Sequence, residues 1–322
     1  MKVNFIVEDS GAFQYLGCAT AAKNLQRELS KKIEISYNNS SLDFDVAHFH
    51  TFGPKSLWYF HRFKGKSVIT AHSTPRLNEG NLALPELVNW LYRPIYNQFD
   101  HIISVSEKCR KELIELGCKP RIKTIYNGID TSLFQPDNIK RKKFRKEMNL
   151  SDQDTLVVTV GQRTPRKGIY DFLQTAKRFP EYHFLWIGGF PYSFFSKDYR
   201  KIKNMLKNRS KNTYFPGFVE DIFAVYSAAD LFFMPSYAEG HSIVMLEALS
   251  MKLPMIARET EEFKEVFNGS LQYFSSVNDL NKDMFSIEKQ QEYQQKAKEV
   301  SKYHIEDIAN QHIHLYEKIV DA

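Results

Sequence analysis

PSYAEGHSIVMLEALSMKLPMIA, residues 235–257, decides how the chain is read. It follows an apolar run, Leu231–Met234, of the kind that forms a buried strand. Pro235, Ser236 and Gly240 then break the chain, and a helical pattern begins near Ser242. A strand, a loop of small residues and a helix make the repeating unit of a parallel α/β sheet. The amides of Gly240, His241, Ser242 and Ile243 sit at the head of that helix, where N–H groups lack intrahelical acceptors and the dipole is positive. That is an anion site, with a phosphate as the obvious occupant. Glu239 stands at its mouth, and Glu247 follows eight residues later inside the helix. The first carboxylate is placed to reach a polyol beside the phosphate. The second is placed to accept from a vicinal diol such as a ribose.

Upstream, the strand TLVVTVG (155–161) runs into GQRTPRKG (161–168), where Arg163, Arg166 and Lys167 crowd one turn that opens a helix. Cations there neutralise a diphosphate whose charge grows as it leaves. Alone, the cluster reads equally well as a solvated turn. Two such loops at one topological position in one domain favour the joint reading. The alternation continues with strands at His183–Ile187 and Leu231–Met234 and a helix near Tyr199–Leu206. The first half has its own series: strands at 3–7, 46–49, 67–71 and 101–105, and a helix at 21–29. Ser106 caps the helical stretch SEKCRKELIELG and Gly117 stops it, so Cys109 reads as core filler. Between the halves lies IKRKKFRK (139–146), six basic residues in eight.

Two doubly wound domains are therefore expected: 1–138, a basic linker at 139–150, 151–302, and a C-terminal helix at 303–322 whose periodicity shows that it packs without showing where, the first domain being one place for it. Ligands then bind in the cleft between domains, just after the strands. The composition agrees. With 322 residues, 43% hydrophobic and 25% charged, the chain fits two globular cores and excludes collagen-like or disordered classes. Three cysteines without a CxxC offer no disulfide framework and no zinc ribbon. Acidic Glu8 and Asp9 arrive before a signal-peptide core forms, and no uncharged apolar run reaches the ~18 residues of a spanning helix. A cytoplasmic protein is expected. The net charge of +6 is uneven: residues 1–150 carry 23 Lys+Arg against 15 Asp+Glu, the remainder 21 against 23. A basic first half points to an anionic surface or ligand there, or to ordinary solvated lysines.

With these residues in view, EGHSIVMLE (239–247) resembles the E-x7-E signature of GT-B retaining glycosyltransferases of the GT4 type. IYNGIDTSLFQP (125–136), GQRTPRKG and GFVEDIFAVYSAADLFFMPS (217–236) are similar to further segments of that family, as are DVAHFH (45–50), ITAHSTP (69–75) and SVSE (104–107). The resemblance covers about residues 3–260 and implies a GT-B fold and transfer from a UDP-hexose. It implies that Glu239 contacts the donor sugar and Glu247 the ribose. His241, Ser242 and Ile243 would offer amides to the distal phosphate, beside Gly240. Lys167, with Arg163 as second cation after Gly161, would hold the diphosphate, and His72 would contact a hydroxyl of the reacting sugar or acceptor. The family's arginine after the first glycine of the turn is Gln162 here. The glycine loop after the first strand is degenerate, with Gly11 or Gly17 as its candidates. Front-face attack in that family requires no protein nucleophile.

Some motifs point elsewhere and are set aside. Asp43-Phe44-Asp45 spells DxD but leads into a strand, and His48, His50 and His72 lack an HExxH or a cysteine partner, so no metal and no cofactor are expected. Neither GxGxxG nor GxxxxGK[ST] occurs, which removes nicotinamide dehydrogenases and P-loop NTPases. The acceptor is read from LWYFHRFKGK (57–66), LPELVNWLYRPIYNQF (84–99) and 190–212, where aromatics mix with Lys and Arg. These suit an anionic membrane surface, unless Trp58 and Trp90 are core or pocket residues. RKGIYDFLQTAKRFPEYHFLWIGG (166–189) also resembles bacterial glycosyl-diacylglycerol synthases. The expected partner is thus a lipid or lipid-linked acceptor, diacylglycerol or monoglycosyl-diacylglycerol, at the inner face of the cell membrane, with no nucleic acid. Rival readings are assembly of capsular, exopolysaccharide or cell-wall glycan, and a non-catalytic GT-B partner subunit.

Overall fold

The computed structural model describes residues 1–10, 14, 17–267, 269, 271–286 and 300–321. Two six-stranded sheets, both parallel throughout, carry the chain. The first contains β1 (Lys2–Ile6), β2 (Glu34–Tyr37), β3 (Val46–Phe49), β4 (Lys66–Ala71), β5 (His101–Ser104) and β6 (Arg121–Thr124), in the order β2-β1-β3-β4-β5-β6. The second contains β7 (Leu156–Val160), β8 (His183–Ile187), β9 (Thr213–Gly217), β10 (Leu231–Met234), β11 (Met255–Arg258) and β12 (Gln272–Phe274), in the order β12-β11-β10-β7-β8-β9. Central strands such as VAHF and LFFM are buried at every position, as strands covered by helices on both faces must be. Alternate residues feed opposite faces: Leu156 and Val158 join one core cluster, Val157 the other.

Each sheet reverses its winding once. The reversal lies between β1 and β3 in the first and between β7 and β10 in the second. At such a switch point the loops leaving two adjacent strands diverge and open a crevice at the strands' carboxyl ends. The loops after β7 and β10 are GQRTPRKG and PSYAEGH. The fold therefore brings together two sequence motifs more than sixty residues apart.

The stretch expected as a basic linker is instead helix α6 (Asn138–Glu147), following α1 (Gly17–Leu29), α2 (Pro54–Arg62), α3 (Pro75–Asn78), α4 (Glu86–Tyr96) and α5 (Glu107–Glu115). Asp137 caps α6, accepting from the amides of Ile139 and Lys140. Arg145 is buried, donating to Ala228 O and Asp230 Oδ2, both at 2.9 Å, while Arg141 reaches Asp230 Oδ1 at 2.6 Å. The basic run is thus partly an internal anchor, because Asp230 compensates the arginine charges that burial would otherwise penalise. The remaining helices are α7 (Ile169–Arg178), α8 (Tyr199–Lys207), α9 (Ile222–Ala228), α10 (Ile243–Ser250), α11 (Glu261–Phe267) and α12 (Ile305–Val320).

Helix α12 returns to the first sheet. Ile305, Ile308, Ala309, Leu315, Tyr316 and Ile319 share one core cluster with Val3, Phe5 and Leu25. Its entry runs beside the outgoing strand of chain: Ile129 N donates to Tyr303 O at 3.0 Å and Ile305 N to Ile129 O at 2.9 Å. No helix among the described residues is long and apolar enough to cross a membrane.

Candidate active site between the domains

A cavity of about 390 Å³ separates the two sheets and is lined from both sides. From the second domain come Gly161, Gln162, Arg166, Lys167 and the run Glu239–Val244. From the first come Gly17, His72, Asn78, Val105 and Asn127. Gly168 explains how the two loops of the second domain fit together. Its φ of +77° is left-handed, and a Cβ there would lie 2.2 Å from Pro235 O. With the glycine in place, Tyr237 N donates to Arg166 O at 2.8 Å and the loops are sewn side by side.

Lys167 Nζ donates to Glu239 Oε1 at 2.6 Å, Ser236 Oγ donates to the same oxygen at 2.6 Å, and Arg166 stands 3.6 Å from it. Burial pushes the Glu239 carboxyl up, yet Lys167 and Arg166 outweigh it and hold the pKa below the usual value. Burial lowers the Lys167 pKa, with the Glu239 carboxylate opposing. A buried, hydrogen-bonded ion pair therefore sits beside the head of α10. The N-cap of α10, Ser242, makes no side-chain cap, and its buried Oγ has no protein partner. One turn and more into that helix, buried Glu247 accepts from Tyr226 OH at 2.8 Å. Burial raises its pKa to about 7.

The first domain contributes neutral imidazoles. His72 Nε2 lies 3.1 Å from His50 Nδ1, and burial holds the His72 pKa down at about 3. His48 bridges Tyr316 OH at 2.6 Å and Thr70 Oγ1 at 2.7 Å. His241 accepts from Asn127 N at 3.2 Å through Nδ1, so its proton is on Nε2, which is buried without a protein partner. Gly240 marks the closest approach of the walls: a Cβ there would meet His72 O and Val105 Cγ2, each at 3.2 Å.

The structure thus gathers His72, Gly161, Lys167, Glu239, Gly240, His241, Ser242, Ile243, Glu247 and Gly17 around one cavity. It does not bring Arg163 there. That guanidinium donates to Phe215 O at 3.1 Å and lies over the rings of Phe215 and Phe190 at 5.2 and 6.0 Å, outside the cavity lining. Arg166 takes the place expected for it. Its Nη1 donates to Ala238 O at 2.5 Å. Gly11 lies outside the described residues. Asp43 and Asp45 pair with Lys2 away from the cavity, and among the described residues no group of three His, Cys, Asp or Glu is arranged to hold a metal. Trp58 and Trp90 are neither core nor pocket; Trp90 is 68% exposed.

One interdomain connection had no local signal. Arg76 of α3 pairs with Glu112 and donates to Glu262 Oε1 at 2.8 Å, and that same oxygen accepts the Glu239 amide at 3.0 Å. Residues 186 positions apart cannot be matched by spacing.

The comparisons with known proteins agree with this fold. Residues 140–304 match the family model of glycosyl transferases group 1, and residues 17–133 that of glycosyltransferase family 4. The chain is 29% identical over 309 residues to the alpha-galactosylglucosyldiacylglycerol synthase of Streptococcus pneumoniae, covering 90% of this chain and 82% of that one. It is 28% identical over 267 residues to the processive diacylglycerol alpha-glucosyltransferase of Acholeplasma laidlawii, covering 80% and 79%. In fold it is similar to sucrose-phosphate synthase of Thermosynechococcus elongatus, with TM-score 0.81, 16% identity and 99% of each chain covered. Anabaena HepE, solved with UDP-glucose, aligns at TM-score 0.79 and 16% identity over 99% of this chain and 100% of its own.

Proposed function

The chain belongs to the glycosyl transferases group 1, and from that premise we propose that it moves a hexose, with retention, from a UDP-sugar to diacylglycerol or monoglycosyl-diacylglycerol. The observation that carries the donor half is the meeting of Lys167, Arg166 and Glu239 beside the uncapped head of α10. A nucleoside diphosphate seats its phosphates on the Gly240–Ile243 amides and the two cations. Glu247 receives the ribose hydroxyls and Glu239 those of the hexose.

In the transfer, the bond from the anomeric carbon to the phosphate oxygen breaks and a bond to the acceptor oxygen forms. The acceptor's proton passes to the departing diphosphate. Negative charge grows on the leaving group, and cations already fixed in a water-poor cleft stabilise it without reorganising. His72, neutral and held by His50, orients a hydroxyl rather than supplying charge. No residue is assigned as a covalent nucleophile, and no metal is assigned a role. The glycolipid acceptor is supported by the names of the sequence relatives and by the exposed Trp58, Leu87 and Trp90 of the basic first domain. In this reading the protein works at the inner face of the cell membrane, which the exposed aromatic and aliphatic side chains support.

Purified protein given a panel of UDP-hexoses with diacylglycerol and monoglycosyl-diacylglycerol tests the reading. A solvent-extractable, alkali-labile glycolipid of retained anomeric configuration is expected. Transfer only to a polymer-linked or carrier-linked oligosaccharide would move the acceptor to glycan assembly, and absence of UDP binding would remove the donor assignment.

A further inference from the structure

Exposed apolar side chains concentrate on both lips of the cleft. On the first domain, Leu84 is 60%, Leu87 65% and Trp90 68% exposed; on the second, Phe194 is 66% and Phe195 61% exposed. Helix α4 shows why this is not misplaced core. Tyr92 and Tyr96 on one side already pack into the first-domain core, and Leu87, Trp90 and Pro94 fall on another side, three to four residues apart. An apolar outward face on a helix whose inward face is already filled marks an interaction surface.

The two sets are joined through the backbone. Leu82 and Ser196 form an antiparallel bridge, Ala83 N donates to Phe195 O at 2.9 Å and Lys197 N to Asn81 O at 2.9 Å. The rings of Phe194 and Phe195 lie 4.1 Å apart beside it, tilted by 36° to each other. Directly behind this seam Asn78, Asn81, Pro191 and Tyr192 line the donor cavity. The patch thus exists as one surface only when the lips touch. Its charge matches an anionic interface: residues 81–93 and 192–203 hold Arg93, Lys197, Arg200, Lys201 and Lys203 against Glu86 and Asp198, and Asp198 is engaged by Tyr170 OH.

We propose that this composite patch docks on an anionic lipid bilayer and that docking holds the cleft closed over the nucleotide-sugar. The proposal rests on the donor reading above and adds its regulation. A surface split between two domains binds a planar interface better when assembled, so the interface favours the closed arrangement by its differential affinity. Reciprocity then requires that lipid raise nucleotide affinity and that nucleotide raise lipid affinity.

The test measures UDP binding by calorimetry with and without vesicles of phosphatidylglycerol and phosphatidylcholine in equal parts. Hydrogen exchange at the Arg166 amide, which donates to Gly80 O at 3.0 Å inside the cleft, is measured alongside. Vesicles should tighten UDP by about 5-fold or more and slow exchange at Arg166. The double variant Phe194→Ser/Phe195→Ser should keep lipid-free UDP affinity and lose both effects, whereas Leu87→Ser/Trp90→Ser should lose vesicle binding itself. Vesicles that bind without changing either readout, or a double phenylalanine variant that keeps both, overturn the coupling. A lipid-free dimer dissolved by Trp90→Ser gives the face to a second copy and overturns it too. Absence of UDP binding under every condition sinks the donor reading instead, and the Arg166 amide still reports whether lipid closes the cleft.

Discussion

The two walls of the cleft carry polar groups in opposite ways. The second-domain wall holds charge: Lys167, Arg166 and Glu239 pair within 3.6 Å, all largely buried. The first-domain wall presents one neutral imidazole, His72, backed by His50, His48 and His312, which pack ring to ring behind it and are kept uncharged by burial. Charge fixed in a dry cleft is arranged for a reaction that builds charge on one partner. Uncharged donors and acceptors on the facing wall suit a partner that stays neutral, such as a lipid hydroxyl. On the proposed reading, the difference teaches that the donor side answers to electrostatics and the acceptor side to desolvation.

Acid should break this contrast most severely, and from the first-domain side. Imidazoles held at about 3 for His72 and about 4 for His312 stay neutral in the fold but titrate near 6.5 once exposed. The unfolded chain therefore binds more protons below 6.5. Stability is full above that pH and falls as the pH drops toward 4, by up to about 1.4 kcal/mol per pH unit for each group. Urea midpoints between pH 7.5 and 5 should fall steeply in the wild type and less steeply in His312→Gln. Equal slopes would remove the imidazoles from the explanation.

Lys167→Ala attacks the charged wall and should lower kcat by on the order of 10²-fold, since its charge matters most as the leaving group forms. Wild-type turnover in the variant removes lysine from the mechanism. Glu247→Gln should weaken UDP binding about 10-fold at pH 8, the scale of one hydrogen bond to a charged acceptor. Because burial lifts this carboxyl to about 7, wild-type UDP affinity should decline as the pH falls below 7, while the glutamine variant stays flat. The same shift withholds about 3 kcal/mol of folding free energy above pH 7, so Glu247→Gln should also melt higher at pH 8.

The pair Arg166→Ala and Arg163→Ala sharpens the comparison by asking which cation faces the cleft. The first should reduce kcat/KM about 10-fold, and the second should leave it within about 3-fold while lowering Tm through lost packing on Phe190 and Phe215. Reversed effects would reinstate Arg163. The smallest change is expected from Arg76→Ala, which removes a third-exposed interdomain pair and should raise donor KM about 2- to 5-fold with little effect on folding.

Much of this was legible in the residues. The strands Val46–Phe49, His183–Ile187 and Leu231–Met234 stand where their apolar runs place them, because parallel strands covered on both faces read as near-continuous apolar runs, with His48 the buried polar exception. Ser106 caps α5 through Cys109 N at 3.1 Å, and Gly117 stops it at φ +82°. The edge strands β2 and β6 escaped notice; they are half-exposed and carry mixed residues, so periodicity does not mark them. The run 139–146 was legible as basic, but its role was not. Nothing local to Arg145 reveals the Asp230 carboxylate that makes burial tolerable.

Local sequence determined which groups would be available: a helix head with open amides after an apolar strand, cations in the turn before it, and two carboxylates at a spacing the helix fixes. These follow from backbone geometry and hydrogen-bond supply within a few residues. Tertiary structure alone decided which cation faces the cleft, which histidines lose their water, and that Leu84, Trp90, Phe194 and Phe195 share one surface. Those outcomes depend on contacts between segments far apart in the chain, where side-chain direction and solvent exclusion are set by packing rather than by the order of residues.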